Sequence, residues 1–261
     1  MKIVTIVGAR PQFIKAAVIS HEFKKIKSIN EIIVHTGQHY DSKMSDIFFK
    51  EMNIPEPKYF LSINNASHAE MTGKMLIQIE EVLIKENPDL VLLYGDTNST
   101  LAGALAAVKL NCKIAHVESG LRNHDLSIPE EVNRVFADSV SNIVFYPTDL
   151  AFENLLAEGY DKKNNVMLVR SGDIMEDAAY MFKDHMFLPD SLPIQNDDDF
   201  VLCTLHRAGN TDDISRLKNI VNGLNRIHDE MPVILPLHPR TKKKLEEFNI
   251  TLNAYVIDPI G

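Results

Sequence analysis

Short runs of apolar and β-branched residues recur along the chain at 2–8, 31–36, 90–94, 113–117, 142–146, 166–169, 200–205, 233–236 and 255–257. They are apolar throughout rather than at every second position, the pattern of strands covered on both faces in a parallel sheet between helix layers. Helical patterns fill the intervals at 42–52, 71–86, 98–109, 130–140, 148–158 and 212–230. Pro11, just after Gly8-Ala9-Arg10, suits the first turn of a further helix, where its missing N–H costs nothing. Thr148 is a good N-cap and Gly159 a good stop, and Asn98 or Ser99 can cap the helix after 90–94. Alternating strand and helix predicts an α/β fold.

The strongest break in this pattern is 187–199, with two prolines and Asp197-Asp198-Asp199, a solvated turn rather than a cation site. It suggests two α/β units, the second with only three strands. A doubly wound domain commonly has five or six. The chain also stops at Asp258-Pro259-Ile260-Gly261, directly after a strand, so the second unit is expected to be incomplete, with a bare sheet edge that favours self-association.

Composition narrows the function classes. An apolar fraction of 45% with 24% charged residues is a globular balance, and a net charge of −9 disfavours broad nucleic-acid binding. Phosphate should therefore meet a local pocket. Cys112 and Cys203 have no metal-binding spacing and are expected to be reduced, inert core thiols. The start of the chain is too short in apolar residues for a signal peptide, and no run approaches the roughly 18 needed to cross a bilayer. A cytoplasmic protein is expected.

In open parallel sheets ligands bind at the carboxyl ends of the strands, so the residues just after each run carry the candidate chemistry. Arg10 and Lys15 follow the first, near a helix N-terminus that favours an anion. His35-Thr36-Gly37-Gln38-His39 follows the second; Gly37 makes it a loop, so contacts to sugar hydroxyls are favoured over a metal. Asp96 and Glu118 end neighbouring runs, where clustered carboxylates can split into proton donor and acceptor through their environments. Glu130 and Glu131 open a helix and could be mere dipole partners. In the second unit His206-Arg207 and His238-Pro239-Arg240 each set His and Arg at a strand end, which fits a phosphate-binding cleft.

These segments, in this order, resemble the non-hydrolysing UDP-GlcNAc 2-epimerase family. The resemblance is carried by Gly8-Ala9-Arg10-Pro11-Gln12-Phe13-Ile14-Lys15, His35-Thr36-Gly37-Gln38-His39, Gly95-Asp96-Thr97-Asn98-Ser99-Thr100, His116-Val117-Glu118-Ser119-Gly120-Leu121-Arg122 and Pro129-Glu130-Glu131-Val132-Asn133-Arg134. Gln12-Phe13-Ile14-Lys15, Gly172-Asp173-Ile174-Met175-Glu176-Asp177 and Ile257-Asp258-Pro259-Ile260-Gly261 look more like the branch acting on UDP-2,3-diacetamido-2,3-dideoxyglucuronate. The resemblance implies two Rossmann-like doubly wound domains of GT-B type, the second incomplete, with 1–170 as the N-terminal domain and 171–261 as part of the UDP-binding one.

It further implies C2 epimerisation of a UDP-N-acetylhexosamine by elimination of UDP and re-addition, without NAD or metal. Asp96, Glu118, Glu130 and His206 become the acid/base candidates, and Arg10, Lys15, Gln38, His39, Arg134, Arg207 and His238 the candidate contacts to UDP or sugar. A homodimer is implied as well. Two features depart from the family: Gly209 stands where a Glu is usual, and an Asp-Ser-Gly-Gly-x-Gln diphosphate motif is absent. A GT-B glycosyltransferase and an inactive nucleotide-sugar-binding fragment are the alternatives.

Overall fold

In the computed structural model the chain forms two compact units, Met1–Asp184 and His185–Gly261. Residues 1–38, 46–64, 66–185, 192, 194 and 199–258 are described. The first unit runs β1 (Lys2–Val7), α1 (Arg10–Lys25), β2 (Asn30–His35), α2 (Asp46–Glu51), β3 (Tyr59–Phe60), α3 (His68–Glu86), β4 (Leu90–Tyr94), α4 (Asn98–Lys109), β5 (Ile114–Val117), α5 (Pro129–Val140), β6 (Ile143–Tyr146), α6 (Asp149–Ala157), β7 (Met167–Arg170) and α7 (Ile174–Phe182). Its seven strands are all parallel, in the order β3-β2-β1-β4-β5-β6-β7.

Both faces of this sheet are covered, which is why its strands read as apolar throughout. On β1, Ile3 and Val7 join Phe13, Ala16 and Ala17 of α1, whereas Val4 and Ile6 join Met75 and Ile79 of α3 and the alanines of α4. α4 lies close to the sheet because its buried face is small. A Cβ on Gly103 would come within 2.8 Å of Leu93 Cδ2 and 2.9 Å of Ile6 Cδ1.

Helix α7 follows the boundary expected at residue 170, yet Ile174 and Ala178 are buried in the core beneath α1. Packing thus carries the first unit on to Asp184. The second unit contains β8 (Val201–Leu202), α8 (Ala208–Thr211), α9 (Ile214–Glu230), β9 (Val233–Pro236), α10 (Pro239–Glu247) and β10 (Tyr255–Ile257), its parallel sheet ordered β10-β9-β8. Leu205, Leu217, Val221, Leu235, Leu237 and Leu245 form its core. The strand expected at 200–205 keeps its ladder only at Val201–Leu202, and the Leu205 carbonyl instead accepts a hydrogen bond from the Thr241 hydroxyl at 2.5 Å.

Thr148 caps α6 through Ala151 N at 3.1 Å, and Gly159 turns the chain with φ 77°. Thr97, rather than Asn98 or Ser99, caps α4: helical geometry already begins at Asn98, so only the residue before it has the extended backbone a cap needs. Cys112 and Cys203 are free and partly buried, and burial raises both thiols, favouring the unreactive protonated form. Among the described residues no helix is long and apolar enough to cross a membrane.

Candidate active site

The chain winds outward from β1 to β2 and β3, then returns to the other side of β1 as β4 and continues to β7. The direction of winding reverses between β1 and β4, and the crevice at their carboxyl ends is where an open α/β sheet takes its ligand. Three loops meet there closely. A Cβ on Gly8 would sit 2.0 Å from Thr36 Oγ1 and 2.2 Å from Ser99 Oγ, so only glycine fits. Thr36 and Ser99 share a hydrogen bond of 2.8 Å, and the Ser99 hydroxyl also donates to Gln38 Oε1 at 3.0 Å.

Gln12 stitches the crevice. Its Oε1 accepts from the N–H groups of Gly8 and Ala9 at 2.8 and 3.1 Å, and its Nε2 donates to the Tyr94 carbonyl at 2.8 Å and Thr100 Oγ1 at 3.0 Å. All four amide valences are filled in a residue 1% exposed, so the β1 and β4 loops are held at fixed separation. Sequence reasoning passed over Gln12 as a site residue, although a buried amide in the first turn of a Pro-started helix was the available signal.

Two carboxylates open onto this region. Asp96 follows β4 and pairs with Arg134 of α5, whose other nitrogen donates to Glu131 at 2.9 Å; Asn133 Nδ2 donates to the Asp96 carbonyl at 2.8 Å. Glu118 follows β5 and pairs with Lys15 of α1. The carboxyl side chains of Asp96 and Glu118 are 30% and 29% exposed, so both remain reachable by a ligand. Each faces its own cation, Arg134 for Asp96 and Lys15 for Glu118.

Glu118 has φ 74°, a left-handed conformation that costs a non-glycine residue on the order of 1–3 kcal/mol and recurs at functional sites. Burial lowers the Lys15 ammonium below the usual lysine range, opposed by the charges of Asp96 and Asp173. Arg10, at the start of α1, stacks its guanidinium 4.9 Å above the Phe48 ring. Beside Glu118 lies a small cavity of about 100 Å³, lined by Val117, Leu121, Pro147, Thr148, Asp173 and Ile174.

One layer below, charge serves the fold. His116 is fully buried, with Nδ1 2.7 Å from Asp138 Oδ1 and Nε2 2.7 Å from the Gly95 carbonyl. Asp138 Oδ2 accepts from Gly120 N at 3.0 Å and Arg122 NH1 at 2.8 Å, and Arg122 forks onto Glu158 at 2.6 and 2.7 Å. Burial works against the Asp138 charge, but His116, Arg122 and the Gly120 N–H outweigh it and hold the carboxyl below its ordinary range. This network fixes the turns that present Asp96 and Glu118.

Neighbouring acids at the start of α5 part ways. Glu131 is 1% exposed and accepts from Asn123 N and His124 N at 3.0 and 2.9 Å. Burial opposes its ionisation, but those N–H groups and Arg134 keep its pKa lowered. Glu130 is exposed. His35 is buried, accepts from Gly37 N at 3.0 Å and stacks on Phe13 and Phe60, so it acts as a core aromatic. His39 lies outside the described residues.

In the second unit His206 and His238 follow adjacent parallel strands, their rings 6.3 Å apart. Both are exposed, as is Arg207. His238 also caps α10, its Nδ1 accepting from Arg240 N at 3.2 Å. Arg240 is engaged with Asp212 at 2.6 Å. Gly209 turns its carbonyl to Arg216 at 2.7 Å.

The family model for UDP-N-acetylglucosamine 2-epimerase matches residues 21–261. The chain belongs to the non-hydrolysing UDP-N-acetylglucosamine 2-epimerase family. It is 52% identical to the UDP-2,3-diacetamido-2,3-dideoxy-D-glucuronate 2-epimerase of Pseudomonas aeruginosa, over 100% of this chain and 73% of that protein. It is 44% identical to the UDP-N-acetylglucosamine 2-epimerase of Methanocaldococcus jannaschii, over 100% of this chain and 74% of the relative. The crystal structure of an M. jannaschii UDP-GlcNAc 2-epimerase in complex with UDP-GlcNAc and UDP superposes with a TM-score of 0.85 at 43% identity, covering 100% of this chain and 74% of that one. The S. aureus MnaA–UDP structure does so with 0.83 at 33% identity, covering 99% and 69%. The fold is the GT-B-like α/β fold of these epimerases.

Proposed function

We propose that this epimerase-family chain inverts C2 of a UDP-N-acetylhexosamine, and that its substrate is UDP-2,3-diacetamido-2,3-dideoxyglucuronate, for which the 52% identity to the Pseudomonas enzyme speaks. The observation that carries the reading is the pair of reachable, cation-paired carboxylates, Asp96 and Glu118, at the ends of adjacent strands near the winding reversal. No carbonyl acidifies the C2 proton of such a sugar. Inversion therefore runs through elimination: a carboxylate takes the C2 proton, the C1–O bond to UDP breaks, and a C1=C2 double bond forms. A proton then returns to C2 from the opposite face while the UDP oxygen re-forms its bond to C1.

Asp96, Glu118, Glu130 and His206 are the groups for these proton transfers in this reading. Arg10, Arg134, Arg207 and His238, with Gln38 and His39, contact UDP or the sugar, and cations there stabilise the departing diphosphate. The relatives are named as epimerases, which favours this chemistry over glycosyl transfer. The active form in this proposal is a cytoplasmic homodimer. In deuterated water, UDP-2,3-diacetamido-glucuronate or UDP-GlcNAc incubated with the protein should gain deuterium at C2. Binding of both sugars without exchange overturns the epimerase reading.

A further inference from the structure

Lys15 differs from the other cations of the site. It is 6% exposed, its ammonium lies against the Glu118 carboxylate, and Asp96 and Asp173 add favourable charge. The backbone closes over the pair: a Cβ on Gly95 would come 3.2 Å from Glu118 Oε2 and 3.5 Å from Lys15 Nζ. The charged groups acting on Lys15 are Glu118 after β5, Asp96 after β4, Arg134 on α5 and Asp173 at the N-cap of α7, three carboxylates against one like charge. A phosphate would add to that anionic surround. An ammonium so enclosed has its charge matched inside the protein, and to reach a diphosphate it would have to leave Glu118 without a counter-ion.

We propose that Lys15 is a positioning residue that holds Glu118 ionised and aimed at the C2 proton, and is not the diphosphate contact that its place after the first strand suggests. The inference rests on the C2-epimerase reading. It also separates the roles of the two carboxylates. Asp96 is paired with a guanidinium that keeps its proton at any working pH, whereas Glu118 is paired with a titratable amine.

The test is the titration of the Glu118 carboxyl carbon by ¹³C NMR in the full chain, its resonance assigned by its loss in Glu118→Gln. In Lys15→Met the midpoint moves up by about one pH unit or more, the effect of removing an adjacent opposite charge. In Lys15→Arg it stays near the wild-type value. The acidic limb of kcat/KM for C2 exchange moves with the midpoint in Lys15→Met, while KM and the calorimetric affinity for UDP stay within about twofold.

An unmoved carboxyl midpoint in Lys15→Met overturns the proposal. So does a tenfold loss of UDP affinity with an unmoved acidic limb, which assigns Lys15 to the diphosphate. The carboxyl titration needs no turnover. A wild-type chain that exchanges no deuterium therefore defeats the epimerase reading, and the Lys15–Glu118 linkage is still decided by the NMR midpoint.

Discussion

Within seven residues, from His116 to Arg122, the chain builds two charged clusters of opposite character. His116 and Arg122 turn down into the Asp138 network, where both carboxylate oxygens of Asp138 are satisfied and no side chain but Glu158 reaches the surface. Glu118 turns up, strained at φ 74°, its carboxylate still partly open to solvent while its partner Lys15 is buried. Composition does not separate them. Burial does: both carboxylate oxygens of buried Asp138 are taken up by the fold, whereas the partly exposed Glu118 carboxylate keeps a face that a ligand can reach.

Breaking the lower cluster gives the largest effect. Asp138→Ala strips His116, Arg122 and the Gly120 N–H of their shared acceptor, and should cost about 3–5 kcal/mol in urea unfolding. A loss below about 1 kcal/mol would place this network with ordinary surface pairs. Next comes Gly8→Ala, whose methyl would meet Thr36 and Ser99; overpacking of about 1–3 kcal/mol should accompany loss of C2 exchange. Retained exchange would show that the three loops can part without harm.

The smallest effect extends the contrast to acid. Glu86 accepts from Lys58 at 2.7 Å and from Tyr59 at 2.5 Å, tying β3 to α3, and these bonds hold its pKa at about 2 against an ordinary 4.5. A carboxyl depressed in the folded state contributes stability in full above its unfolded value, and that contribution fades as pH falls from 4.5 through about 2. Glu86→Gln should therefore be less stable than wild type at neutral pH, with the gap in urea midpoint closing across that window. A gap that ignores pH contradicts the assignment.

The sequence pattern made the sheet legible because its strands are apolar on both faces; Leu90–Tyr94, Val233–Pro236 and Tyr255–Ile257 stand where the runs predict them. It missed Tyr59–Phe60, an edge strand too short to form a run, and Pro239–Glu247, a helix whose buried residues are only Thr241 and Leu245. Ile174–Phe182 was hidden by its place at a supposed domain boundary. The place of Asp96 and Glu118 at the ends of neighbouring strands was legible because the apolar runs just before them mark where those strands stop. The partnerships Lys15–Glu118, His116–Asp138 and Arg134–Asp96 were not, because they join elements far apart in sequence and no local spacing encodes them.

The proposed chemistry requires Asp96 and Glu118 to move a proton at C2. The direct measurement is deuterium incorporation at C2 of UDP-2,3-diacetamido-glucuronate and UDP-GlcNAc by the wild-type chain, Asp96→Asn and Glu118→Gln, with urea midpoints taken alongside. The wild type should exchange at least one of the two sugars. Each variant should lose that exchange by about 10²-fold or more while remaining folded in buffer, its urea midpoint lowered by no more than the loss of one ion pair. Exchange at the wild-type rate in both variants would contradict the central claim.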